Sequence, residues 1–227
     1  AVSQIERDRS HDLVEEFMLG ANVAVARFLS DKKLPGIYRV HEEPDEEDLE
    51  AFADFVQTVL DRRIDPFDRG TLQRLLADVA DTNLSEAVNM ELLRCMKRAQ
   101  YQIEAAPHFA LHFPIYCHFT SPVRRYPDLV VHQILDRHFA GDLDTDGAGG
   151  RAWWKMQLPQ VAGHCTRTER RADEAEREIV KVKLLRFLQE RAGEGPGGEI
   201  FGAIITGVQE YGVFAQLEDF SVEGLIK

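Results

Sequence analysis

The chain has 227 residues, 44% hydrophobic and 29% charged, which is enough to bury a substantial core and too apolar for wholesale disorder. Lys plus Arg number 27 against 39 Asp plus Glu, a net charge of −12, so a coat protein binding nucleic acid by bulk charge is excluded and only a local basic groove stays open. Cys95, Cys117 and Cys165 are scattered with no CxxC pair, which excludes a cysteine zinc knuckle, predicts no disulfide and suits a reducing, cytoplasmic setting.

No apolar run reaches the ~20 residues of a membrane span, and the first residues form no signal segment. The sequence lacks an initiator Met and stops straight after an apolar run, so it is expected to be cut from something longer. Val14, Phe17, Met18, Ala21, Val25, Phe28 and Leu29 share one helical face and predict a first helix. Leu34-Pro-Gly-Ile-Tyr38 is a breaker followed by an extended segment. Asp45, Glu46 and Glu47 then favour the start of a second helix carried by Leu49, Phe52, Phe55, Val56, Val59 and Leu60. Leu72, Leu75, Leu76 and Val79 predict a third helix, and Ser85 is the expected cap of a fourth through Met96. Helical periodicity vanishes between His108 and Tyr126 and returns from Asp128 to Phe139. Residues 141–150 read as a loop, whose alternating acids lack the downstream Glu of a calcium-binding loop. A long polar helix runs from about Trp153 to Arg191, with Trp153-Trp154 as a packing anchor, and the glycines of 193–198 mark a boundary. Beyond them the period becomes two, with Gly207 and Gly212 bracketing a turn before a strand at Val213–Leu217, the opening of a small twisted barrel.

One segment carries most of the chemistry: His118-Phe-Thr-Ser-Pro-Val-Arg-Arg-Tyr-Pro-Asp128, followed by His132. Pro122 fixes a bend, Thr120 and Ser121 offer hydroxyls and backbone donors, Arg124 and Arg125 project two guanidinium groups, and Tyr126 adds an aromatic face. Guanidinium forks match phosphate oxygens bidentately, which suits a phosphodiester. The spacing is equally compatible with a structural Arg–Asp pair using Asp128 where the loop enters a helix. Both readings stand on chemistry alone. His108, His112, His118, His132 and His164 match no tetrahedral zinc spacing, and two of them, in the segment itself, are expected to be structural hydrogen-bonders.

This segment resembles the signature of the ribonuclease II / ribonuclease R (RNB) exoribonuclease family, together with His108-Phe-Ala-Leu111 and Tyr116 upstream; Cys117 stands where that family usually has Ala or Ser. His11–Asn22, Leu34–Pro44, and Gly198–Phe214 with Val222–Ile226 are similar to further blocks of the family in order and spacing, the last to an S-one-type OB-fold. The resemblance implies an α+β fold: residues 1–192 as the largely helical C-terminal portion of an RNB catalytic domain, and 193–227 as the start of a truncated OB-fold β-barrel. It implies hydrolysis of RNA from the 3′ end to nucleoside 5′-monophosphates with Mg²⁺ held by four clustered aspartates. No such cluster is present; Asp61, Asp65 and Asp68 have the wrong spacing and read as a solvated helix end and loop. The metal ligands are therefore expected upstream of Ala1, and none in this chain.

By the same resemblance, Arg124 contacts the scissile phosphate and stabilises developing charge. Arg125 supports the RNA backbone or a structural acid, and Thr120 and Ser121 lie against the RNA. Glu176 corresponds to a glutamate touching the last nucleotide, and Arg167, Arg170 and Arg171 line the RNA channel, with a solvated face of i,i+4 ion pairs as the alternative for this helix. Phe119 and Tyr126 are expected in the core. Tyr211 and Phe214 occupy strand positions where such barrels stack single-stranded bases. The implied partner is a single-stranded RNA 3′ end, with no membrane and a monomeric chain. A non-catalytic RNA-binding module with the same channel is the competing reading; a helical scaffold with an incidental Arg-Arg loop is the third.

Overall fold

The structure, a computed structural model, describes residues 8–192, 199–217 and 222–226. Its described elements run α1 (Arg9–Asp31), β1 (Tyr38–Val40), α2 (Glu46–Leu60), α3 (Arg69–Val79), α4 (Ser85–Cys95), β2 (Gln100–Gln102), α5 (Tyr126–Ala140), α6 (Arg151–Ala192), β3 (Ala203–Gln209), β4 (Gly212–Leu217) and β5 (Glu223–Ile226). The fold is α+β, and the chain divides into two compact units, Ala1–Thr166 and Arg167–Lys227, with the division inside α6. Among the described residues no helix is long and apolar enough to cross a membrane.

The first unit has two cores. One is a three-helix cluster in which Leu49, Phe52 and Val56 of α2 meet Leu72, Leu75 and Val79 of α3 and Val88, Leu92 and Cys95 of α4. Each of these helices is amphipathic at a 3.6-residue period, so a single stripe per helix closes the cluster. Asp68 caps α3 by accepting from the N–H groups of Gly70 and Thr71. Ser85 does not cap α4: it is the first helical residue after Leu84, and its hydroxyl instead accepts from Asn89 Nδ2.

The other core joins Ala26 and Leu29 of α1, Ile37, Tyr38 and Val40 around β1, Tyr101 of β2, four aliphatic residues of α5, and Trp154, Leu158, Ala162 and Cys165 of α6. β1 and β2 pair antiparallel, with Arg39 opposite Tyr101. The apolar stripe expected along α1 is only half used. Leu13, Val14, Phe17 and Met18 are exposed, Phe17 by 72%, while Asn22, Val23, Ala26 and Leu29 are buried. Periodicity specifies a face and not a neighbour, and among the described residues α1 is buried only along its C-terminal half. Trp154 is buried as the anchor of α6, with Trp153 packed against the same core.

In the second unit β3, β4 and β5 form an antiparallel sheet in that order. Gly207 lies inside β3 and, with Gly212, brackets the β3–β4 turn. The register shifts between Ile205 and Gly207, and the Phe214 ring rests on that glycine. The turn falls at Glu210-Tyr211, one residue before Gly212, whose φ of 151° and close approach to the Ile226 carbonyl favour glycine. Arg191 of α6 stacks over Phe187 at 4.2 Å and pairs with Glu199.

Candidate functional site

The loop from Tyr116 to Arg125 has no helix or strand of its own, so its backbone groups need partners from outside it. Two buried polar side chains supply them. Asn22, on α1 and 2% exposed, accepts through Oδ1 from the N–H groups of Phe119 (3.0 Å) and Thr120 (3.2 Å), and its Nδ2 donates to Tyr116 Oη at 2.8 Å. Asp128, fully buried in the first turn of α5, accepts through Oδ1 from the Ser121 N–H (2.8 Å) and from Arg125 Nη2 (2.7 Å). The Arg124 and Arg125 N–H groups both donate to the Ser121 carbonyl, which closes the bend at Pro122.

The backbone donors expected from Thr120 and Ser121 are thus spent inside the protein, and only their hydroxyls remain for a ligand. The two arginines also separate. Arg125 is held against Asp128, the structural pairing that the spacing had left open. Arg124 is exposed, and among the described residues its guanidinium makes no hydrogen bond or ion pair. Tyr126 is 53% exposed and Val123 entirely so. Tyr126 is therefore a surface ring and not the core aromatic that the resemblance suggested: it is the first residue of α5, ahead of the turn that enters the core. Phe119 is partly buried and stacks on His132 at 4.2 Å, while His132 Nε2 bonds the Phe119 carbonyl at 3.0 Å.

His118 gives the site its electrostatic signature. Its Nδ1 bonds Tyr101 Oη at 2.9 Å, and Arg39 stacks its guanidinium over the Tyr101 ring at 4.6 Å. Burial, with the guanidinium groups of Arg125 and Arg39, the neighbouring His108 and Arg124, pushes His118 down to about 3. His108 is pushed down to about 4 by burial, with His41 and Arg39 adding to it. The guanidinium groups of Arg125, Arg39 and Arg124 thus all disfavour a proton on His118. Cys117 is fully buried and its thiol is pushed up to about 12, so it is inert here.

Asn22, Arg39 and Tyr101 escaped the sequence reading as site residues. Asn22 lies 94 positions before its partner Tyr116, and no local pattern announces such a contact.

Among the described residues, no three His, Cys, Asp or Glu side chains come together as metal ligands. Asp61 accepts from Gln57, Asp65 from the Phe67 N–H, and Asp68 caps α3. These donors do not fit Mg²⁺, and no step through a metal follows from them.

The remaining expected site residues lie in the second unit. Arg167, Arg170, Arg171 and Glu176 are all exposed on α6, where Arg177 Nε donates to the Asp173 carbonyl at 3.2 Å. Phe214 is a half-buried β4 residue, but Tyr211 is in the β3–β4 turn and not in a strand, its ring edge-on to Phe214 at 6.3 Å.

This α+β chain thus carries an exposed arginine on a clamped Pro-Val-Arg-Arg loop. The RNB domain model matches residues 1–141, and the chain belongs to that family. Ribonuclease R of Thermotoga maritima is 37% identical over 226 residues, covering 97% of this chain and 31% of the relative. Mycoplasma genitalium RNase R, in a structure with ribose-methylated single-stranded RNA, superposes with a TM-score of 0.86 at 27% identity, covering 98% of this chain and 34% of that one. Yeast Ssd1, described as a pseudonuclease, shares the fold at a TM-score of 0.78 and 21% identity, over 97% of this chain and 27% of its own. The chain thus spans about a third of the length of the relatives it matches.

Proposed function

We propose that this chain carries the arginine portion of a 3′→5′ exoribonuclease site, acting on single-stranded RNA ends and releasing nucleoside 5′-monophosphates. One observation carries the reading: of two adjacent arginines, Arg125 is consumed by a buried carboxylate, while Arg124 is left exposed with its backbone fixed. A guanidinium that projects from a fixed backbone and has no internal partner is available as charge develops on a phosphoryl oxygen, which is where such a group contributes most to rate. Family membership and the RNA bound to the M. genitalium relative support a single strand as the ligand.

The reading extends to the rest of the molecule. Residues 1–192 are the C-terminal portion of the catalytic domain, and 193–227 open an OB-fold whose Phe214 and Tyr211 meet bases. Thr120 and Ser121 contact the strand through their hydroxyls, Arg167, Arg170 and Arg171 contact phosphates, and Glu176 reaches the terminal nucleotide. The protein works in the cytoplasm as a monomer. Mg²⁺ is its cofactor, with ligands contributed by polypeptide other than the residues described here.

The test is Arg124→Ala in the intact enzyme. Turnover on a single-stranded oligomer is expected to fall by about 10²-fold or more, well beyond the loss of affinity that one phosphate contact accounts for, because the interaction strengthens with transition-state charge. Equal losses in both would move Arg124 into a binding role. A second reading is a non-catalytic RNA-binding module, since the described residues hold no carboxylate set fit for a metal. Magnesium-dependent mononucleotide release by the intact protein excludes it.

A further inference from the structure

We propose that Asn22 is the positioning residue for Arg124: the α1 side chain sets the phosphate-facing loop from outside the signature segment. The inference rests on the reading of Arg124 given above.

The Phe119 and Thr120 N–H groups can only donate, so the Asn22 amide must face them with its oxygen. That choice turns its NH₂ toward Tyr116, whose hydroxyl then accepts at 2.8 Å in a buried setting. The amide has no other orientation that satisfies all three partners. The Cys117 thiol adds a contact to the Asn22 carbonyl at 3.4 Å, so residues 116–120 are attached to one residue of one helix. Asp128 takes the next N–H, of Ser121, from α5. Three consecutive backbone donors are thereby held from two different helices, and the chain reaches Arg124 three residues later through the rigid Pro122. His132 holds the Phe119 carbonyl and Asp128 the Ser121 N–H, while the Phe119 and Thr120 N–H groups between them are fastened by Asn22. Its role is to fix the backbone from which Arg124 projects.

The experiment uses the 227-residue chain with a fluorescein-labelled single-stranded oligoadenylate, and reads the dependence of affinity on salt. Asn22→Ala is expected to lower the salt slope by about 0.7, the share of one phosphate contact on a single strand, matching Arg124→Ala. The double variant should show no further fall. Exchange of the Phe119 and Thr120 amides should accelerate by about tenfold or more as their buried partner is lost. Asn22→Asp should restore the slope, because its carboxylate still accepts both N–H groups and Tyr116 can donate to it instead. If Asn22→Ala fails to fold, Tyr116→Phe removes only the acceptor that orients the amide, and its slope should move toward that of Arg124→Ala. An unchanged slope in these variants, or slope losses that add in the double variant, would overturn the positioning role while leaving Arg124 as a phosphate contact. A wild-type chain with no salt-dependent RNA binding would remove the Arg124 reading, and this inference with it.

Discussion

Arg124 and Arg125 have the same side chain at adjacent positions, yet a single buried oxygen separates their fates. Asp128 has no exposed surface and its Oδ1 already accepts from the Ser121 N–H, so the Arg125 guanidinium at 2.7 Å supplies the countercharge. Removing one partner of a buried pair leaves an uncompensated charge in a poorly solvated site. Arg125→Ala is therefore expected to destabilise the chain by about 3–5 kcal/mol in urea denaturation, whereas Arg124→Ala, exposed and unpaired, should change stability by less than about 0.5 kcal/mol. The histidines add a pH dependence. An unfolded histidine takes up its proton near about 6.5, but folded His108 and His118 resist protonation down to about 4 and about 3. Below about pH 6.5 the unfolded state binds protons that the native state refuses, so stability is complete above that value and falls by about 1.4 kcal/mol per pH unit for each histidine as pH drops toward the native values. Denaturation midpoints taken on either side of about pH 6 check this, and His118→Phe should remove one histidine's share of the slope.

At the level of elements, α2, α3 and α5 were legible because apolar residues at helical spacing coincide with a start or stop signal. The acids at α2, the Asp68 cap of α3 and Pro127 at the start of α5 all lie where helix physics favours them. α5 stops at Gly141, whose φ of 81° lets its N–H reach the carbonyls of Arg137 and His138. A Cβ there meets no neighbour, so Gly141→Ala is expected to cost only the backbone strain, about 1 kcal/mol, seen as a lowered melting temperature without loss of helix content. What failed to read correctly did so for identifiable reasons. Phe17 and Met18 continue the α1 stripe but meet no core, because a hydrophobic pattern carries no information about its neighbour. Gly207 and Gly212 do bracket the β3–β4 turn, but that Gly207 also serves as the flat surface on which Phe214 packs, beside a bulge, is decided by strand pairing.

For the molecule as a whole, the distribution of charge matters more than its total. A net −12 repels a polyanion, so the proposed RNA contact depends on exposed cations such as Arg124 that carry no internal countercharge. The described residues hold no carboxylate set fit for a metal. The purified 227-residue chain should accordingly bind single-stranded RNA without degrading it; mononucleotide release in the presence of magnesium, read by chromatography, would contradict that expectation. The sequence by itself determined the family, the helices and the loop that bears the guanidinium groups, since these depend on local periodicity and on a contiguous run of unusual residues. Only the tertiary structure decided which arginine is free and which residue fastens the loop. Both answers depend on which polar groups are buried beside one another, and residues such as Asn22 and Tyr116, 94 positions apart, become neighbours only when the chain packs.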